Sequence, residues 1–176
     1  MRQTGNSTVL PWLRDAYATE SQSVQMLTSR PPSLTVFPEF HENIGMHADL
    51  SREQRDRLGP PSPSWARPHH CSGMASGLTA PMMIAALPDS VARSAIANYT
   101  FEHLEIGTYR ALIGLAEPTG DRETRSQAES APAQELEMVT WLEEHLIAIA
   151  AEVLAWAELL HGSMQPSGET IPLPDL

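Results

Sequence analysis

The sequence predicts an all-α protein, a four-helix bundle with one long crossover connection. Apolar residues recur at helical spacing through four long segments. Paired prolines and glycines interrupt those segments, and the longest interruption falls between the second and the third. Composition agrees: 41% of residues are hydrophobic but only 6% aromatic, and alanine is abundant, which favours helices over a sandwich or barrel. A chain of 176 residues suits one domain with a core large enough to fold alone. The expected organisation is a disordered N-terminus over residues 1–8, the bundle over 9–162, and a disordered tail over 163–176.

The first helix is expected from about Leu10 to Thr28, stopping before Arg30-Pro31-Pro32, where proline removes the backbone donor. The second runs from about Pro38 to Leu58 and ends at Gly59-Pro60-Pro61. The Pro/Ser-rich stretch "GPPSPSWARPHHCSGM" reads as loop, with a short helical piece from Ala75 to Ala86. A third long helix starts near Asp89-Ser90, with an N-cap there, and ends before Pro118-Thr119-Gly120. The fourth runs from about Asp121 to His161-Gly162 and either kinks at Pro132 or restarts with that proline in its first position. Two hairpins of helices joined by a long connection form the ferritin-like arrangement.

Charge and cysteine usage exclude several functions. Asp and Glu number 22 against 11 Lys and Arg, for a formal net charge of −11, and no basic stripe offsets the excess; nucleic-acid binding is not expected. The single cysteine, Cys71, leaves no intrachain disulfide framework. The N-terminal segment lacks the apolar run of a signal peptide, and "LIAIAAEVLAWAELL" (Leu146 to Leu160) is interrupted by two glutamates, so no membrane span is expected. The expected location is the cytoplasm.

The chemistry lies in the polar residues centred on each apolar stripe. In the first helix Ala16, Tyr17, Val24 and Leu27 flank Glu20; in the second Phe40, Ile44, Leu50, Ser51 and Leu58 surround His47. In "FEHLEIGTYRALIGLAE" Phe101, Ile106, Tyr109 and Leu112 share a face with Glu102 and Glu105. In the fourth helix Ala131, Met138, Val139 and Leu142 surround Glu135. Four acids and an imidazole converging in a core repel or raise one another's pKa, and need protons or cations to neutralise them. Carboxylates and imidazole on facing helices are a known way to hold two divalent irons or manganese ions. His69-His70-Cys71 lacks a second ligand pair at zinc spacing. His103 and His145 stand off the centres of their faces.

At these residues the sequence resembles the YciE/YciF ferritin-like family. The resemblance spans about Val9 to Val153 and rests on "WLRDAYATESQSVQML", the run from His47 to Leu58, "CSGMASGL", "FEHLEIGTYRALIGLAE" and "QELEMVTWLEEHL". The H-x-x-E-T pattern of the resemblance becomes His47-x-x-Leu50-Ser51 here, with Asp49 and Glu53 as the nearby acids. The resemblance implies metal ligation by Glu20, His47, Glu102, Glu105 and Glu135, with Tyr109 behind them. It implies two iron ions, or manganese, and ferroxidase chemistry with oxygen or peroxide in a stress-protective role. A homodimer is compatible with it. The alternative is a metal-free helical dimerisation or partner-binding module that keeps the fold but not the chemistry.

Overall fold

The computed structural model describes residues 4–29, 32–59 and 91–163, and among them every regular element is helical. Helix α1 spans Thr4–Thr28, α2 Pro38–Leu58, α3 Val91–Thr119, α4 Arg122–Ala128 and α5 Ala131–Ser163; a 3-10 turn, Pro32–Val36, joins α1 to α2. The expected piece at Ala75–Ala86, the N-cap at Asp89-Ser90, the His69-His70-Cys71 cluster and the C-terminal tail beyond residue 163 lie outside the described residues.

Local chemistry accounts for most of the boundaries. Helix α1 begins at Thr4, six residues before the expected start, and carries Pro11 inside it rather than in its first turn. Helix α2 opens with Pro38 in its first turn, where the missing amide would have no helical partner. Glu39 near that end and Arg55 and Arg57 near the other complement the helix dipole. Gly59 (φ 81°) stops it.

Two boundaries differ from expectation. Helix α3 does not end before Pro118 but continues through it to Thr119. The proline sits in the last turn, and the carbonyl it leaves unpaired, on exposed Gly114, faces water. Gly120 (φ 69°) ends the helix instead. Its amide donates to the Glu117 carbonyl (3.2 Å) and the Asp121 amide to that of Ala116 (3.0 Å), the paired closing bonds of a Schellman motif. Asp121 then caps α4, accepting from the Thr124 amide at 3.1 Å. The fourth segment is not one helix: it breaks at Glu129-Ser130 and restarts at Ala131, so Pro132 occupies the second position of α5.

Two apolar clusters fill the ends of the bundle. At one end Leu27, Phe40, Ile44, Ala95, Leu142 and Ile149 pack together. At the other, Val9, Ala16, Leu58, Tyr109, Leu112 and Ala131 do so. Following each helix from cluster to cluster gives the topology. Helix α1 runs antiparallel to α2 and α3, and α3 runs antiparallel to α5. Helix α2 ends at the cluster opposite the one where α3 begins, so residues 60–90 must connect the two ends of the bundle. That is the long crossover the sequence predicts, in a ferritin-like four-helix bundle. No described helix is long and apolar enough to cross a membrane.

Candidate metal centre

Between the two apolar clusters each helix contributes polar side chains to a middle layer. Glu20 lies on α1 between Ala16 and Leu27, and His47 on α2 between Ile44 and Leu58. Glu102 and Glu105 lie on α3 between Ala95 and Tyr109, and Glu135 on α5 between Ala131 and Met138. The stripe that packs the ends therefore carries the acids inward. Glu20, Glu102 and Glu135 are fully buried, Glu105 is 1% exposed and His47 5%.

His47, Glu102, Glu105 and Glu135 each offer a ligand atom within 4.8 Å of the others, a set that could hold a metal ion. The His47 Nε2–H donates to Glu102 Oε2 at 2.8 Å and lies 3.2 Å from Glu135 Oε2. Nε2 has one proton, used on Glu102, so the Glu135 oxygen is close but unpartnered. Glu20 stands beside this set rather than within it: the Tyr109 hydroxyl donates to its Oε1 at 2.6 Å.

Electrostatics describe how the layer survives without a cation. Burial pushes the Glu20 carboxyl well above its usual range, and the Glu135 charge adds to this while the Tyr109 hydrogen bond opposes it. Burial does the same for Glu105, reinforced by Glu20 and Glu102, with weak opposition from the Ser23 hydroxyl at 3.4 Å. Glu102 is raised to about 7, again chiefly by burial and against the attraction of His47. Burial alone would depress His47, but the charge and hydrogen bond of Glu102, with the close charge of Glu135, outweigh it and push the imidazole up to about 10. Burial and the Glu20 carboxylate hold the Tyr109 phenol far above its ordinary value, so it remains a donor. The metal-free layer is therefore held by protons and by one imidazolium.

The donor set also fits a metal ion. Glu20 Oε2, Glu102 Oε1, Glu105 Oε1 and Glu135 Oε2 are all buried without a hydrogen-bond partner among the described residues. Such atoms ordinarily find a partner, because each orphan costs about 1–3 kcal/mol. Carboxylates of Glu102, Glu105 and Glu135 with the imidazole of His47 are the hard oxygen and nitrogen donors that iron, manganese or zinc take.

The structure also adds residues that the stripe analysis did not select. Gln54, 1% exposed, donates from Nε2 to Glu135 Oε1 in a short hydrogen bond and to Gln134 Oε1 at 3.3 Å. It stands seven residues after His47, on the same stripe. Ser23 follows Glu20 by three and its hydroxyl lies 3.4 Å from that of Ser51, linking α1 to α2 beneath Glu105. Neither acid near Leu50 reaches the layer: Asp49 is exposed and pairs with Arg52, and Glu53 is exposed. His103 is exposed, and His145 stacks on Trp141 and faces Glu39 at 3.4 Å; both are remote in role from the layer.

Comparison with known proteins agrees with this architecture. A family model described as "Domain of unknown function (DUF892)" matches residues 8–155. A solved structure of a protein from Xanthomonas campestris pv. campestris is similar, at 26% identity and a TM-score of 0.66, covering 88% of this chain and 99% of that one. The Escherichia coli stress protein YciF is 19% identical with a TM-score of 0.64, covering 85% and 98% of the two chains. YcfI from Rhodopseudomonas palustris, named as a candidate structural protein, is 22% identical with a TM-score of 0.59, covering 81% and 94%. With a family match over most of its length and the same helical fold in these neighbours, the chain belongs to the DUF892 family, the YciE/YciF group of ferritin-like proteins.

Proposed function

We propose that this protein binds a pair of iron ions in the middle of its bundle and serves as a ferroxidase with a protective role. The observation that carries the reading is that His47, Glu102, Glu105 and Glu135 offer ligand atoms within 4.8 Å of one another, while each of the three carboxylates keeps a buried oxygen without a hydrogen-bond partner. His47, Glu102, Glu105 and Glu135 would supply the shared ligand set, with Glu20 extending it toward a second ion. Iron bound there would supply oxidation of Fe(II) to Fe(III) by oxygen or peroxide. The protein's own part is to hold the donors in place and exclude bulk water. Gln54 fixes the Glu135 carboxylate, and Tyr109 fixes Glu20. Proton bookkeeping belongs to the chain as well: Glu20, Glu105 and His47 release protons as cations enter, so affinity rises with pH. The stress-protein name of the similar Escherichia coli YciF supports the protective role.

A second reading is favoured by one observation. The His47–Glu102 pair and the raised carboxyl groups give the layer a self-consistent metal-free state, as a helical partner-binding module would need. Metal content separates the two. The full chain, loaded anaerobically with Fe(II) and desalted, should retain about two irons per chain and develop ferric absorbance on admitting oxygen; Glu102→Gln and Glu135→Gln should lose both. Absence of bound iron at micromolar Fe(II) would leave the metal-free reading.

A further inference from the structure

The middle layer approaches the outside at His47, and the structure shows where. Helices α2 and α5 pack less closely than α1 with α2, α1 with α3, or α3 with α5. Between them lies a groove of about 360 Å³ that ends on His47. Asn43, Met46 and Leu50 of α2 line one side, and Gln134, Glu137, Met138 and Trp141 of α5 line the other. Gln134 and Met138 flank Glu135 in sequence, so the groove leads to the edge of the ligand set. His47, at 5% exposed, is also its most accessible member.

The walls select by charge. Met46, Leu50, Met138 and Trp141 offer a hydrated dication nothing to replace the water it would shed there, Asn43 and Gln134 offer only uncharged amides, and the one carboxylate on the walls, Glu137, is exposed to solvent. A small uncharged molecule meets no such penalty. The volume compares with roughly 30 Å³ for one water in the liquid, enough for a diatomic or a peroxide together with displaced solvent. Leu50 follows His47 by one helical turn and is half-buried, so its side chain borders the groove where it reaches the imidazole.

We infer that this groove is the passage by which a small uncharged oxidant, dioxygen or hydrogen peroxide, reaches the centre. Leu50 sets its width and keeps the approach to His47 apolar. The inference rests on the iron-binding reading above and adds a route and a selecting residue to it.

Nitric oxide, an uncharged diatomic that binds Fe(II), reports on passage independently of turnover. The wild-type full chain and the Leu50→Ala and Leu50→Trp variants would be loaded with Fe(II) anaerobically, assayed for iron, and mixed with nitric oxide in a stopped-flow instrument. The nitrosyl absorbance gives the rate. The three proteins should hold equal iron; Leu50→Trp should take up nitric oxide at least tenfold more slowly, and Leu50→Ala at least as fast as wild type. Equal rates at equal iron content overturn the passage while leaving the iron reading intact. A wild-type chain that holds no iron overturns the iron reading, and the passage with it. Should Leu50→Trp lose its helical circular dichroism, Leu50→Phe replaces it, and a rate equal to wild type then overturns the passage in the same way.

Discussion

Raising the pH on the metal-free protein should destabilise it, because its middle layer is held by protons. Glu102 illustrates the sign and the size. Its carboxyl is raised from 4.5 to about 7 in the folded chain, chiefly by burial. Below pH 4.5 the carboxyl is protonated whether folded or not, and its stabilising contribution is fully present. Between 4.5 and 7 the unfolded chain loses this proton while the folded chain keeps it, so stability falls as pH rises. At about 1.4 kcal/mol per pH unit the interval amounts to roughly 3 kcal/mol. For a chain of this size that is roughly 6–12 °C in Tm, taking about 2–4 °C per kcal/mol. Glu20 and Glu105, also raised, act in the same direction. His47 extends the trend: its contribution is complete below 6.5 and is lost as pH rises toward about 10. Urea titrations followed by circular dichroism at pH 5, 6, 7 and 8, in chelator, measure the effect. Glu102→Gln, which is neutral at every pH, should flatten the profile and so separate the layer from the acidic surface. With Fe(II) present the slope should weaken or reverse, since the cation takes the place of the protons. Metal-free stability that is flat or rising from pH 5 to 7 would refute the reasoning.

Two substitutions test the supports of the layer. Gln54→Leu removes the donor to Glu135 Oε1 and leaves a buried carboxylate oxygen without a partner. It should cost about 1–3 kcal/mol in a denaturant melt and weaken retained iron in an equilibrium competition with a colorimetric chelator. Tyr109→Phe keeps the ring in its apolar cluster but removes the hydroxyl from Glu20. A loss of about 1–3 kcal/mol at neutral pH with unchanged helix content is expected, and wild-type stability would show that the hydrogen bond contributes nothing.

The site was legible in the sequence to the extent that its residues are of ligand type and sit on the stripe. Glu102 and Glu105 share a face with Phe101 and Tyr109, and helical geometry alone brings them inward. Gln54 shares the His47 stripe equally well, but an amide in an amphipathic helix carries no ligand signature; only the approach of α5 across the bundle shows that it holds Glu135. Asp49 and Glu53 show the reverse case: both are acids close to His47 in sequence, and both project into solvent. The boundary at Pro118 was misplaced because a proline in a final turn loses a bond to a carbonyl that water can satisfy, while Gly120 supplies the actual stop. The break before α5 was readable only as one of two options, a kink or a restart, since proline is compatible with both.

By itself the sequence determined the helices, the long connection between the second and third, and which acids and imidazole face the interior. Those follow from local periodicity and punctuation, which each segment carries without reference to the others. The tertiary structure alone decided that His47, Glu102, Glu105 and Glu135 converge within 4.8 Å while Glu20 pairs with Tyr109 beside them. It alone opened the groove at Leu50 between α2 and α5. Distances between helices depend on how side chains of different segments interlock, and no periodicity within one segment encodes them.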